Sequence, residues 1–106
     1  MTECYARGAE KVTTEQRTKA IDILYHYGER PQMIKCCEEL SELESAILKY
    51  INKGSNNLDD ILDEVADVYI MLEQMKLAFM LGEDAISKRI DFKLDRQAKR
   101  IKGNEE

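Results

Sequence analysis

Four glycines, Gly28, Gly54, Gly82 and Gly103, each close a stretch in which apolar residues recur at helical spacing, and no stretch alternates with period two. Such punctuation reads as helices joined by short turns, so the expected class is all-α: four helices, antiparallel neighbours packed into an oligomeric helical bundle. The first is expected over roughly residues 14–28, opened by a capping box of Thr13 and Gln16, with Ala20, Ile21, Leu24 and Tyr25 turned inward. The second takes Pro31 in its first turn and runs to about Lys53, its inward stripe reading Met33, Cys37, Leu40, Leu43, Glu44, Ile47, Ile51. The third runs from Leu58 to Leu81 with Asn57 as its cap and Asp59, Asp60 and Asp63 in its opening turns. The fourth starts near Glu83 and Asp84 and ends in Lys99, Arg100 and Lys102, charges that complement the helix dipole. Residues 1–12 and 103–106 read as tails of a single domain.

The third helix is unlike the others. Val65 to Leu72 carries one charge, Asp67, and Leu77 to Leu81 carries none, so the helix is apolar nearly all round. Such a helix belongs at the centre of an assembly, and the three other helices of a 106-residue chain barely surround it. A homodimer or homotetramer is expected.

Several chemistries are set aside by composition. Sixteen basic against twenty-one acidic residues give a net charge of -5, the wrong sign for nucleic-acid binding. The three cysteines are an odd number, and adjacent Cys36 and Cys37 point about 100° apart on a helix, which argues against disulfide or zinc scaffolds. A Ser or Cys nucleophile would have only His26 as its base. The longest apolar runs, five residues each, fall short of the ~18 that cross a bilayer, so no membrane association and a cytoplasmic location are expected. Carboxylates remain as the abundant chemical resource.

Two acidic segments stand out, Glu38-Glu39-Leu40-Ser41-Glu42 and Glu64-Val65-Ala66-Asp67, each placing acids at i and i+3. Glu39 and Glu42 sit to one side of Leu40 at the same angular offsets that Glu64 and Asp67 take around Val65. If the second and third helices pack antiparallel through the short connection from Gly54 to Asn57, four carboxylates converge on one edge of the seam. Two unit charges about 5 Å apart repel by roughly 3 kcal/mol at an effective dielectric of 20. Six such pairs would rival the roughly 5 to 15 kcal/mol of a whole domain's stability, so either some acids are protonated or a cation is bound. Oxygen ligands without His or Cys select a hard ion, Mg²⁺ with Mn²⁺ as a substitute. Acids at i, i+3 are usually a solvated face, but Met71 and Ala78 share the flank of Glu64 and Asp67, where a solvated face would be polar.

These residues resemble the signature of the all-α nucleoside triphosphate pyrophosphohydrolases typified by MazG, an EExxE segment followed on the next helix by ExxD. The resemblance spans roughly residues 15–101, and the string from Gln32 through Lys35 is similar to small, phage-type members. It implies Mg²⁺-dependent cleavage of a nucleoside or deoxynucleoside triphosphate between the α and β phosphates. It further implies Glu39, Glu42, Glu64 and Asp67 as metal ligands and Glu38 as an outer or second-metal acid, or as a group orienting the attacking water. The segment Phe92 to Gln97, with Lys93 and Arg96, is similar to the family's triphosphate clamp, and Lys35 is a further substrate-binding candidate. A phosphoribosyl-ATP pyrophosphohydrolase-like enzyme and a non-catalytic helical partner protein are the competing readings. Outside the signature, Tyr25, His26 and Tyr27 could stack on a base, although His26 also suits a helix C-terminus. Met71, Met75 and Met80 read as core filler.

Overall fold

The computed structural model describes residues 12–54 and 56–103; the expected tails, apart from Val12 and Gly103, lie outside the described residues. All regular structure among the described residues is α-helical: α1 (Thr14–Tyr27), α2 (Glu29–Lys53), α3 (Leu58–Ala78) and α4 (Glu83–Gly103). The capping box at the start of α1 forms as expected, with the Gln16 N–H donating to Thr13 Oγ1 (3.1 Å) and the Thr13 N–H to Gln16 Oε1 (2.9 Å). Gly28 serves two helices at once: its N–H donates to Leu24 O at the end of α1, and its carbonyl accepts from the Gln32 N–H in the first turn of α2. Its φ of 98° is a backbone conformation that a side chain would strain, although a Cβ there would meet nothing closer than 3.7 Å. Because Gly28 opens α2 directly, that helix starts at Glu29, and Pro31 lies inside its first turn.

Three helices make the bundle. Cys36 of α2 is buried against Met71 and Met75 of α3, with Met33 and Ala78 packed beside them. Ala20 and Leu24 of α1 complete the core. Polar bonds cross-link the same three helices. The Gln74 amide donates to Ala20 O (2.9 Å), and Arg17 pairs with the buried Glu73 at 2.8 Å. Burial alone would raise the Glu73 pKa, but hydrogen bonds from Arg17 and Lys76 outweigh it and hold the carboxyl below the usual range. Residue numbers fall along α2 as they rise along α3, from Ala46 beside Asn57 to Cys36 beside Met71 and Met75.

Three expectations are corrected. The inward stripe of α2 is Gln32, Cys36, Glu39 and Ala46, about one residue out of phase with the expected one, so Leu40, Ile47 and Ile51 face outward. The helix carries apolar residues on both flanks, and hydropathy alone does not show which flank meets α3. Asn57 does not cap α3 with its side chain; its amide instead donates to Ala46 O at 3.1 Å, tying the turn to α2. Nor does α3 reach Leu81. It ends at Ala78, the Leu81 N–H donating back to Lys76 O and the Met80 N–H to Leu77 O, with Met80 at φ 56°. That is a Schellman stop built on a methionine rather than on Gly82.

The fourth helix departs most from the expected bundle. It buries no residue and packs closely along none of the other three; its first two turns lie beside α3, where Lys76 links Glu73 to Glu83 and Ile86 and Ile90 share a cleft with Tyr69 and Leu72. The radius of gyration is accordingly 16.6 Å, against roughly 13 Å for a compact chain of this length. No helix among the described residues is long and apolar enough to cross a membrane.

Candidate metal centre

The one-residue rotation of α2 puts Glu39 in the seam itself, at 7% exposure, rather than beside it. From the facing helix come Glu64 and Asp67, both half-buried, one turn apart. Carboxylate oxygens of Glu39, Glu64 and Asp67 all lie within 4.8 Å of one another. The geometry follows from the helix pair: a residue of α2 that points into the seam meets the two α3 residues whose side chains share its level.

Two oxygens in this group are buried and accept no hydrogen bond, Oε1 of Glu39 and Oε1 of Glu64. The other Glu39 oxygen, Oε2, is met by Lys35 Nζ at 3.3 Å. Acids this close resist ionising together. Burial and then the charges of Glu42, Asp67, Glu39 and Asp63 push the Glu64 carboxyl above its usual range. Burial, and then Glu39 through its charge and a hydrogen bond, does the same to Asp67. Lys35 moves in the complementary direction, its pKa raised by the hydrogen bond and charge of Glu39. Buried oxygens without donors, beside carboxyls that burial and mutual repulsion make harder to ionise, suit an all-oxygen cation site.

Of the expected ligands, then, three converge. Glu42 is exposed, its charge reaching Glu64 without its oxygens joining the group, and Glu38 lies outward, 4.0 Å from Lys35. Lys35 is brought to the acids. Lys93 and Arg96 are not: both are exposed on α4, and the Arg96 guanidinium sits 5.6 Å over the Phe92 ring. Asp63 contributes only its charge.

A cleft of about 420 Å³ opens beside the acids, lined by Ile23 and Tyr27 of α1, Gln32, Lys35 and Glu39 of α2, and Asp67, Ile70, Met71 and Gln74 of α3. Tyr27 is thus at the site, as a base-stacking role requires, whereas His26 lies against Tyr27 edge-on, with ring centroids 4.6 Å apart, and does not line the cleft. Sequence reasoning missed Gln32 and Gln74. The signal was present, because Gln32, Cys36, Glu39 and Asp67, Met71, Gln74 are both i, i+4, i+7 triplets, polar residues in the phase of the core.

Searched against protein-family models, curated proteins and solved structures, the chain gives no significant match.

Proposed function

We propose that the chain is a MazG-like nucleotide pyrophosphohydrolase that cleaves a nucleoside or deoxynucleoside triphosphate to its monophosphate and pyrophosphate with Mg²⁺, or Mn²⁺ in its place. The observation that carries this is the meeting of Glu39, Glu64 and Asp67 within 4.8 Å, two of their oxygens buried without a donor, with Glu39 and Asp67 also lining a cleft large enough for a nucleoside. Three carboxylates without His or Cys suit a hard divalent ion, which when bound supplies charge neutralisation to the phosphates and acidifies a water.

The chain's own residues would do the rest. Glu39, Glu64 and Asp67 hold the ion, and Glu42, one turn along α2, adds its charge from the edge of the group. Lys35, already drawn to Glu39, is placed to meet a phosphate oxygen, and Glu38 beside it steadies the ammonium. Ile23, Ile70 and Met71 exclude water from the cleft. The antiparallel pairing of α2 and α3 that the contacts support makes the carboxylate group a property of one chain.

The oligomer belongs to the same reading. Leu40, Ile47 and Ile51 on α2, Tyr69, Ile70 and Leu72 on α3, and Ile90, Leu94 and Ile101 on α4 are all at least 40% exposed, more apolar surface than a monomer ordinarily leaves in water. A homodimer or homotetramer covers these faces, and α4, free of its own bundle, then delivers Lys93 and Arg96 to a neighbour's phosphates. The cytoplasm, where nucleoside triphosphates and Mg²⁺ are abundant, is the fitting location. The test of the site is Glu64→Gln, which is expected to abolish turnover while far-UV circular dichroism stays that of the parent. Retained turnover would overturn the assignment.

A further inference from the structure

Gln74 is the most enclosed polar side chain of the described residues, with 0% of its surface exposed. Its Nε2 donates to the carbonyl of Ala20 at 2.9 Å, and a carbonyl can be met only by the nitrogen of a carboxamide, so the orientation of the group is fixed by chemistry. Oε1 therefore points away from Ala20, and it is buried without a hydrogen-bond partner. An orphaned buried acceptor is destabilising, and it calls for an explanation such as a group from outside the chain that completes it. Gln74 lines the same cleft as Glu39 and Asp67. Gln32, buried on α2 and lining the same cleft, brings a second carboxamide with no side-chain hydrogen bond among the described residues.

The rest of the lining narrows what fits. Ile23, Ile70 and Met71 offer apolar faces and Tyr27 an aromatic edge, so the occupant is flat and apolar on its faces and polar at its rim. An acceptor in the lining asks for an N–H donor on that rim, and the adjacent acids require the same ligand to carry its metal-binding groups at the other end. We infer that Gln74 is a specificity-determining residue: its Oε1 accepts a hydrogen bond from an N–H of the substrate's nucleobase, with the Gln32 amide meeting a neighbouring polar atom of the same base. This rests on the pyrophosphohydrolase reading for the identity of the ligand, but not for the direction of the bond. The acceptor is committed by Ala20, so a base that has lost its N–H at that edge leaves Oε1 as unsatisfied as before.

The experiment separates the two readings by omitting phosphate and metal. Cytidine, uridine, adenosine and guanosine are titrated into ¹⁵N-labelled full-length protein in EDTA, following the side-chain NH₂ signals of Gln74 and Gln32. At least one nucleoside is expected to shift both pairs of signals. Its N-methylated form, blocked at the base N–H (N4,N4-dimethylcytidine, 3-methyluridine, N6,N6-dimethyladenosine or 1,N2,N2-trimethylguanosine), is expected to bind about tenfold more weakly. In Gln74→Leu the parent nucleoside loses about the same factor and the methylation penalty disappears, which a purely steric effect of the methyl group would not produce. If that variant fails to fold, the wild-type comparison of parent and methylated nucleosides decides. No shift at Gln74 with any of the four, or equal affinity for the methylated form, overturns the inference. Shifts at Gln74 in a protein that hydrolyses no triphosphate with Mg²⁺ would uphold the base-reading role and reject the pyrophosphohydrolase.

Discussion

Glu39 on α2 and Asp67 on α3 face each other across the helix seam, with Glu64 completing a group whose carboxylate oxygens lie within 4.8 Å of one another. Glu39 is the only one of the three classed as buried, and it is held there with one oxygen on Lys35 and the other on nothing. A helix seam ordinarily excludes such a residue. Its presence, in phase with Cys36 and Gln32, is what the proposed metal site accounts for.

The first consequence is a pH dependence that Mg²⁺ should reverse. Glu64 and Asp67 have raised pKa values in the folded chain, so above the ordinary carboxylate value of about 4 the native state holds more protons than the unfolded state. Their contribution to stability is fully present below that value and is lost as pH rises through the raised ones. Melting temperature in EDTA should fall over that interval, and added Mg²⁺ should restore it increasingly as pH rises, beyond a NaCl control of equal ionic strength. Absence of any Mg²⁺ effect beyond the salt control would point to a non-catalytic helical protein.

Glu73 titrates with the opposite sign. Its folded pKa is depressed by Arg17 and Lys76, so its contribution is present above the ordinary value and lost as pH falls through the depressed one. Glu73→Gln keeps the shape but weakens charge-assisted bonds, and urea unfolding at neutral pH is expected to show a loss of about 1 to 2 kcal/mol. The acid limb of the stability profile should flatten in this variant, while the Mg²⁺ response stays as in the parent.

Met80 occupies a left-handed backbone conformation, φ 56°, with its side chain almost wholly in solvent. A residue with a Cβ is disfavoured there, and glycine is the usual choice. Met80→Gly should therefore raise unfolding free energy by about 0.5 to 1 kcal/mol, the relief of strain exceeding the added freedom of the unfolded chain. A loss of stability in chemical denaturation would mean that Met80 is covered in the assembled protein.

This turn also marks where the sequence was legible and where it was not. The ends of α1 and α2 could be placed because Gly28 and Gly54 take positive φ, a conformation that residue type announces. The end of α3 could not, since nothing about Met80 distinguishes it from the methionines of the core. Likewise the acidic residues Glu39, Glu64 and Asp67 were found by their spacing, but their depth was not. Leu40, Ile47 and Ile51 outweigh Cys36 and Ala46 in hydropathy, and the stripe that contacts a second copy in the proposed assembly outbids the one that closes the monomer. Gln32 and Gln74 were hidden by their chemistry, since a carboxamide on a helix reads as solvated until its phase is compared with that of its neighbours.

Assembly gives a separate prediction. Ile86 and Ile90 of α4 face Tyr69, Leu72 and Leu81 across a cleft of about 420 Å³, and Leu94 continues that side of the helix. Sedimentation velocity should find the parent chain as a dimer or tetramer, and the pair Ile90→Asp and Leu94→Asp should shift it toward monomer. If Lys93 and Arg96 act across the interface, that variant also loses turnover although neither substituted residue touches the acids. An oligomer unaffected by both aspartates would place the interface elsewhere.

If the three carboxylates run a metal-dependent phosphoanhydride cleavage, product analysis shows it: purified protein is incubated with each common NTP and dNTP, with Mg²⁺ or with EDTA, and resolved by anion-exchange chromatography. At least one triphosphate is expected to yield monophosphate and pyrophosphate in equal amounts, in Mg²⁺ only, and none with Glu64→Gln. Orthophosphate and a nucleoside diphosphate as products, turnover that survives EDTA, or full activity in the Glu64→Gln protein would overturn the assignment.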